Sequence, residues 1–185
     1  LGVTSFDHAD IYGGYAVEAA FGAALAAAPG LRERIQIVTK CGIKLKSSAR
    51  PAHAIKSYDS SCAHVIASVE QSLRALRTDR IDALLIHRPD CLMDPDELAA
   101  TIAQLRAAGK VLHFGVSNHA PSQFALLHRR VPLVTNQIEF SPLRLGALSD
   151  GTLDQALDLG LPPMVWSPLA RGALLRGTDE QAQRV

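Results

Sequence analysis

The sequence predicts an α/β fold on a parallel sheet, a (β/α)8 barrel in preference to a doubly wound domain, and three observations carry that prediction. Six short β-type runs, at residues 3 to 7, 35 to 39, 81 to 86, 111 to 116, 133 to 138 and 163 to 167, recur at intervals of roughly 20 to 45 residues, with helical stretches between most of them. The first run is followed by Tyr12-Gly13-Gly14-Tyr15, a glycine pair and not the GxGxxG turn of a doubly wound dinucleotide domain. Each run closes on a polar or amphipathic residue: Asp7, Lys40, His87, Ser117 with Asn118, Gln137, and Trp166 with Ser167. Barrels place their chemistry at the C-terminal strand ends. Strands lying side by side would therefore bring an acid, a lysine, a histidine, amides and an aromatic ring to one mouth.

The elements follow in order. A helical stretch from Val17 to Ala28 separates the first two strands, and a second from Cys62 to Leu76 precedes the third. In the second, Val65, Ile66, Val69, Leu73 and Leu76 fall at spacings of one, three and four, which predicts an amphipathic helix with one buried face. Ser60 and Ser61 are its candidate caps. Helices are also predicted over Pro95 to Ala108, Pro121 to Arg129 and Thr152 to Leu159; the one at Pro121 is preceded by Asn118 and opened by Pro121 and Ser122. The stretch from Cys41 to Ser61, with Lys44, Lys46, Arg50 and Tyr58, is the candidate substrate wall, since barrels vary specificity through the loops after their strands.

With 185 residues, 48 % hydrophobic and 20 % charged, the chain has the makeup of one soluble globular domain over residues 1–185. Its 19 basic and 18 acidic side chains leave a net charge of +1, and no Lys/Arg block forms the stripe that nucleic acid requires. Cys41, Cys62 and Cys91 are odd in number and form no CxxC pair, which suits a reducing cytoplasm better than a disulfide framework. Beside Lys40, Cys41 reads as a small buried strand-end residue before it reads as a reactive thiol. No apolar run approaches the 18 or so residues of a membrane span, no signal segment opens the chain, and no HExxH or other convincing ligand set points to a metal. The opening residues enter a strand with neither methionine nor leader, so the chain reads as truncated.

Six segments, in order and spanning nearly the whole chain, resemble the aldo-keto reductases. Phe6-Asp7-His8-Ala9-Asp10-Ile11-Tyr12 resembles that family's Asp and Tyr segment, Val38-Thr39-Lys40 its lysine strand, and Leu84-Leu85-Ile86-His87-Arg88-Pro89 its histidine strand. Gly115-Val116-Ser117-Asn118, Asn136-Gln137-Ile138-Glu139-Phe140 and Trp166-Ser167-Pro168-Leu169 resemble its cofactor strands. The histidine strand followed by Arg-Pro-Asp is most similar to a bacterial oxidoreductase branch. The resemblance implies an incomplete TIM (β/α)8 barrel holding family strands two to seven, about six of the eight units, in keeping with a length below the roughly 200 residues a barrel needs. The family usually has threonine where this chain has His8. Its eighth strand and helix, which hold the adenosine 2′-phosphate, have no counterpart here, and the two flanking strands are expected to expose unpaired edges.

The implied function is an NADPH/NADP+-dependent oxidoreductase that reduces a small-molecule aldehyde or ketone. Hydride adds to one side of the carbonyl carbon while an acid protonates the developing alkoxide. A free phenol, with a pKa of about 10, serves as that acid near neutrality only beside a positive charge. Tyr12 is the implied acid, Lys40 the charge, and Asp7 the carboxylate that holds the lysine. His87 would donate a hydrogen bond to the carbonyl oxygen. Ser117, Asn118 and Gln137 would bond the nicotinamide carboxamide, Trp166 would stack on its ring, and Ser167 and Leu169 would lie near the pyrophosphate. Two other readings stay open: a cofactor-binding regulatory subunit of the channel β-subunit type, and an inactive fragment of the reductase.

Overall fold

The computed structural model describes residues 2–177. Its framework is a six-stranded sheet in which every neighbouring pair is parallel. In chain order the strands are β1 (Ser5–Asp7), β2 (Gln36–Cys41), β3 (Ile43–Lys44), β4 (Ser57–Tyr58), β5 (Ile81–Ile86), β6 (Val111–Ser117), β7 (Asn136–Glu139) and β8 (Met164–Trp166). The sheet runs β1-β2-β5-β6-β7-β8, while β3 and β4 form a separate antiparallel hairpin. The helices are α1 (Val17–Ala26), α2 (Cys62–Leu76), α3 (Pro95–Ala107), α4 (Pro121–His128), α5 (Thr152–Leu159) and α6 (Ala173–Arg176). Consecutive parallel neighbours joined by helical crossovers are the repeating unit of a (β/α)8 barrel, of which the chain forms six units. Among the described residues β1 and β8 each have a strand on one side only.

Period-two alternation sorts the strand side chains between two faces. Leu84, Ile86, Phe114 and Val116 pack outward with Val65, Val69 and Leu73 of α2, Leu98 and Ile102 of α3, and Phe124 and Leu127 of α4. The spacing that predicts a single buried face on α2 is thus realised, with Ile66 at its half-buried rim. Thr39 also points outward, its hydroxyl donating to buried Glu18 of α1 at 2.6 Å. Lys40 therefore faces the interior of the curve. Register extends that interior row: Asp7 lies beside Val38, Lys40 beside Leu85, Leu85 beside Gly115, Ser117 beside Gln137, Gln137 beside Met164, and Glu139 beside Trp166. Gly115 is required within this row. A Cβ there would stand 2.7 Å from Leu85 Cδ2 and 2.8 Å from the Thr135 carbonyl oxygen, so only glycine lets β6 approach both neighbours.

Local chemistry sets the element ends. The Ser61 hydroxyl caps α2 by accepting from the His64 N–H, and Asp94 caps α3 by accepting from Asp96 and Glu97 N–H groups. At α4 the N-cap is Ala120, with Pro121 at N1 and the Gln123 side chain accepting from the Ala120 N–H. Asn118 is not its cap; it takes another role in the mouth. The fifth predicted run begins three residues late: β7 starts at Asn136, because the Thr135 hydroxyl stands between the strands, donating to the Pro162 carbonyl and accepting from the Met164 N–H. The last run is confined to residues 164–166 because Pro163 has no N–H to donate and Ser167 turns to φ +58°. No described helix is long and apolar enough to cross a membrane.

Candidate active site

The row built by register places the strand-end residues on one face of the sheet, and their side chains meet around Lys40. Lys40 is 1 % exposed, with Phe114 among the largest of the fully buried side chains, and its Nζ lies 2.8 Å from both Asp7 carboxylate oxygens, 2.8 Å from the His8 carbonyl and 3.2 Å from the Tyr12 hydroxyl. A buried ammonium needs such partners, because desolvation without them costs several kcal/mol. Tyr12 reaches the cluster from the turn after β1, where the chain continues alongside β2 through His8 N–H to the Val38 carbonyl and Asp10 N–H to the Lys40 carbonyl. Its ring also stands edge-on to His87, with centroids 5.9 Å apart.

His87 follows β5, held by its N–H bond to the Cys41 carbonyl. Burial, then the positive charges of Lys40, Arg88 and Lys56, depress its pKa to about 3, so the imidazole is neutral at physiological pH. Its Nδ1 is sealed without a partner among the described residues; Nε2 is not sealed and is the nitrogen open to the mouth. His8 contributes to the site through its carbonyl alone: its ring is buried 4.5 Å from that of Phe21, both nitrogens lack partners among the described residues, and burial lowers its pKa. Burial likewise pushes the Cys41 thiol well up, away from the reactive thiolate form.

On the other side of the mouth, Ser117 donates its hydroxyl to the Gln137 carbonyl at 3.0 Å, and Asn118 Oδ1 accepts from the Trp166 indole N–H at 3.0 Å. Asn118 is bent out of the strand alternation by φ +53°, which carries its side chain toward Trp166. Gln137 is 3 % exposed, yet its side-chain amide makes no hydrogen bond among the described residues. Ser167 uses its hydroxyl to accept from the Arg171 N–H, and Leu169 is 50 % exposed. The candidate wall from Cys41 to Ser61 contains the β3–β4 hairpin, with Lys44 paired to Asp59 at 3.4 Å and Arg50 over the Tyr15 ring.

The structure thus brings Asp7, Tyr12, Lys40 and His87 together, and Ser117, Asn118, Gln137 and Trp166 beside them. Ser167 and Leu169 lie in the turn after β8. Two arginines that the sequence reading left unassigned also belong to the mouth: Arg88 and Arg171 lie 5.6 and 5.5 Å from the Trp166 ring. Arg88 directly follows His87, and that adjacency was the available signal.

A strand-end lysine clasped by a carboxylate and a phenol thus stands with a neutral histidine opposite, at the strand ends of a partial barrel. The aldo/keto reductase family model matches residues 1–185. The chain belongs to that family. It is 54 % identical to the Bacillus subtilis (strain 168) protein described as uncharacterized oxidoreductase YcsN, over all of this chain and 62 % of that protein. It is 57 % identical to oxidoreductase YdhF of Escherichia coli (strain K12), over 94 % and 58 % of the two, and 47 % identical to a 6-dehydroglucose reductase of Agrobacterium fabrum (strain C58 / ATCC 33970), over 95 % and 60 %. The chain therefore spans about three fifths of the length of these curated relatives. Among solved structures, glycerol dehydrogenase AKR11B4 of Gluconobacter oxydans superposes with a TM-score of 0.85 at 30 % identity, over 97 % of this chain and 53 % of that one. An aldo/keto reductase of Klebsiella pneumoniae in complex with NADP and acetate does so at 0.75 and 30 %, over 94 % and 56 %.

Proposed function

We propose that the protein is an NADP(H)-dependent oxidoreductase that reduces an aldehyde or ketone to the alcohol, with Tyr12 as general acid. The observation that carries the reading is the contact of Lys40 Nζ with the Tyr12 hydroxyl at 3.2 Å while Asp7 holds the same nitrogen from the other side. When bound, the reduced nicotinamide supplies the hydride. Tyr12 delivers its proton to the carbonyl oxygen, and Lys40 stabilises the phenolate left behind. Asp7 balances Lys40 in both states of the tyrosine. His87, neutral, donates from Nε2 to the carbonyl oxygen and stabilises charge as it develops there.

The residues of the second half fit a nicotinamide. The Gln137 amide makes no hydrogen bond among the described residues and its polar atoms are not sealed from solvent, so its donor and its acceptor are both open to a ligand. Because Ser117 commits its hydrogen to the Gln137 carbonyl, it remains an acceptor for an amide NH2. Because Asn118 commits its oxygen to Trp166, its NH2 remains a donor for an amide oxygen. These are complementary demands, met by one carboxamide in one orientation. Trp166 offers the flat surface for the ring, with Ser167 and Leu169 next in line toward the pyrophosphate. The NADP complex of the Klebsiella structure and the name of the 6-dehydroglucose reductase support this cofactor and a small polar carbonyl substrate. Three free cysteines suit a reducing cytoplasm, and residues 1–185 read as one partial barrel domain.

The test is NADPH titration followed through Trp166, the only tryptophan, in this chain and in a protein extended to the length of its relatives. Quenching in the extended protein, with aldehyde reduction that falls roughly 10²- to 10⁴-fold in Tyr12→Phe while NADPH still binds, is the expected result. A folded, extended protein that binds no nicotinamide cofactor overturns the reading. Cofactor binding without turnover points instead to the regulatory subunit.

A further inference from the structure

Three groups assigned to different tasks share one neighbour. Arg88 Nη1 donates to the His87 carbonyl oxygen at 2.6 Å and to the Ser117 hydroxyl oxygen at 3.1 Å, and the guanidinium carbon stands 5.6 Å from the Trp166 ring. No ion pair engages it among the described residues, although Glu139, Tyr12 and Tyr58 are close enough to act on it electrostatically. A solvated strand-end arginine would extend away from the protein. This one is half buried and bent back across the mouth, where its planar cation lies near an indole face and a single NH2 group donates to two oxygens at once.

We propose that Arg88 is a positioning residue that ties the proton-delivering half of the mouth to the nicotinamide-holding half. By bonding the His87 backbone and the Ser117 hydroxyl while lying over Trp166, it sets the indole and the serine in their cofactor-binding places before the cofactor arrives. The Ser117 hydroxyl shows how this works. With Arg88 occupying one acceptor direction and the Gln137 carbonyl taking the hydrogen, a single acceptor direction is left for an incoming amide. Arg171 also lies near Trp166, but it is 72 % exposed, comes from the turn after β8, and touches neither Ser117 nor His87. It can cover the indole; it cannot join the two halves.

This inference rests on the nicotinamide reading for its consequence but not for its structural content, and the experiment separates the two. The Trp166 emission anisotropy is measured first without cofactor, in the wild type, Arg88→Met, Arg88→Lys and Arg171→Met. Arg88→Met is expected to lower it by freeing the indole, Arg88→Lys to lower it partly, since a compact point charge replaces the planar cation beside the indole, and Arg171→Met to change it less than either. NADPH is then titrated. Arg88→Met is expected to weaken binding about tenfold, with Arg88→Lys between it and the wild type. The third readout is the His87 imidazole NMR titration, a group faced by Tyr12 from the turn after β1, Lys40 from β2, Lys56 from the segment before β4, and Arg88 itself. Removing one of three cations moves that titration to higher pH in Arg88→Met and leaves it in place in Arg88→Lys. Arg88→Met with wild-type anisotropy and wild-type NADPH affinity overturns the inference. Altered anisotropy in a protein whose wild type binds no NADPH supports the tie and overturns the nicotinamide reading instead. Should Arg88→Met not fold, the same anisotropy and affinity comparisons on Arg88→Lys decide the matter: wild-type values in both overturn it.

Discussion

Lys40 Nζ has more acceptors around it than an ammonium has hydrogens, and they are unequal: two belong to a carboxylate, one to a carbonyl and one to the phenol. Asp7 is the only counter-charge in the set, and at 37 % side-chain exposure it is reached by water, as Tyr12 is. Asp7→Asn is therefore expected to cost about 1 to 3 kcal/mol in urea unfolding, less than the roughly 3 to 5 kcal/mol of breaking a fully buried pair. A loss well under 1 kcal/mol would mean that the carbonyl and phenol alone hold the charge. At this scale the sequence was informative where a residue closes an apolar run, as Lys40 and His87 do, because strand alternation then dictates the face. It was silent on partners set by rotation of the chain. Asn118 reads as a helix cap by residue type, yet φ +53° turns it to Trp166. Arg88 reads as a solvated charge until the indole beside it is seen.

Helices and strands depend on a few close approaches. Gly22 of α1 faces the C-terminal end of α2, where a Cβ would stand 2.1 Å from the Ala75 carbonyl oxygen and 2.8 Å from Leu76 backbone atoms. Backbone cannot yield as a side-chain tip can, so Gly22→Ala must move α1 off α2. The expected loss is about 1 to 3 kcal/mol despite alanine's better helix propensity, read as a lower denaturation midpoint. A stabilised variant would show that the two helices slide freely. Long periodic elements were legible for the reason that makes them stable: α2 buries Val65, Val69, Leu73 and Leu76 on one stripe, so its pattern and its packing are the same fact. The β3–β4 hairpin was not legible. Two-residue strands carry no period, and the Ile43–Tyr58 and Lys44–Ser57 pairings are made across an intervening loop that leaves no trace in local spacing.

For the molecule as a whole, buried ionisable groups set opposing responses to pH. His87 and His119 have folded pKa values pulled down to about 3 and about 4, chiefly by burial, and His8 and His64 are lowered in the same way. Each contributes stability that is present above the unfolded value of about 6.5 and is lost as pH falls toward its folded value. Asp10 works in the other direction. Burial, followed by the Glu18 charge, raises it to about 7, so its contribution is full below about 3.8 and is lost as pH rises through 7. Between about pH 4 and 6.5 the two trends oppose each other. Asp10→Asn removes the second, and its stability should fall more steeply than that of the wild type as pH drops from 6.5 to 4, measured by urea midpoints across that range. Parallel profiles would show that Asp10 does not bind its proton in the folded state. None of this could be read from residue types, since it depends on which faces the six-stranded sheet encloses.

If the proposed aldehyde or ketone reduction holds, the seclusion of Lys40 has a further consequence. Primary amines condense with aldehydes to imines, and a lysine at the mouth of such a site is at risk from its own substrate. Here the nitrogen is 1 % exposed and ringed by oxygen atoms of Asp7, His8 and Tyr12, so no carbonyl carbon can approach it. The same clasp that brings the ammonium to the phenol keeps it from acting as a nucleophile, and the site is shielded from imine formation with the aldehydes it is proposed to reduce.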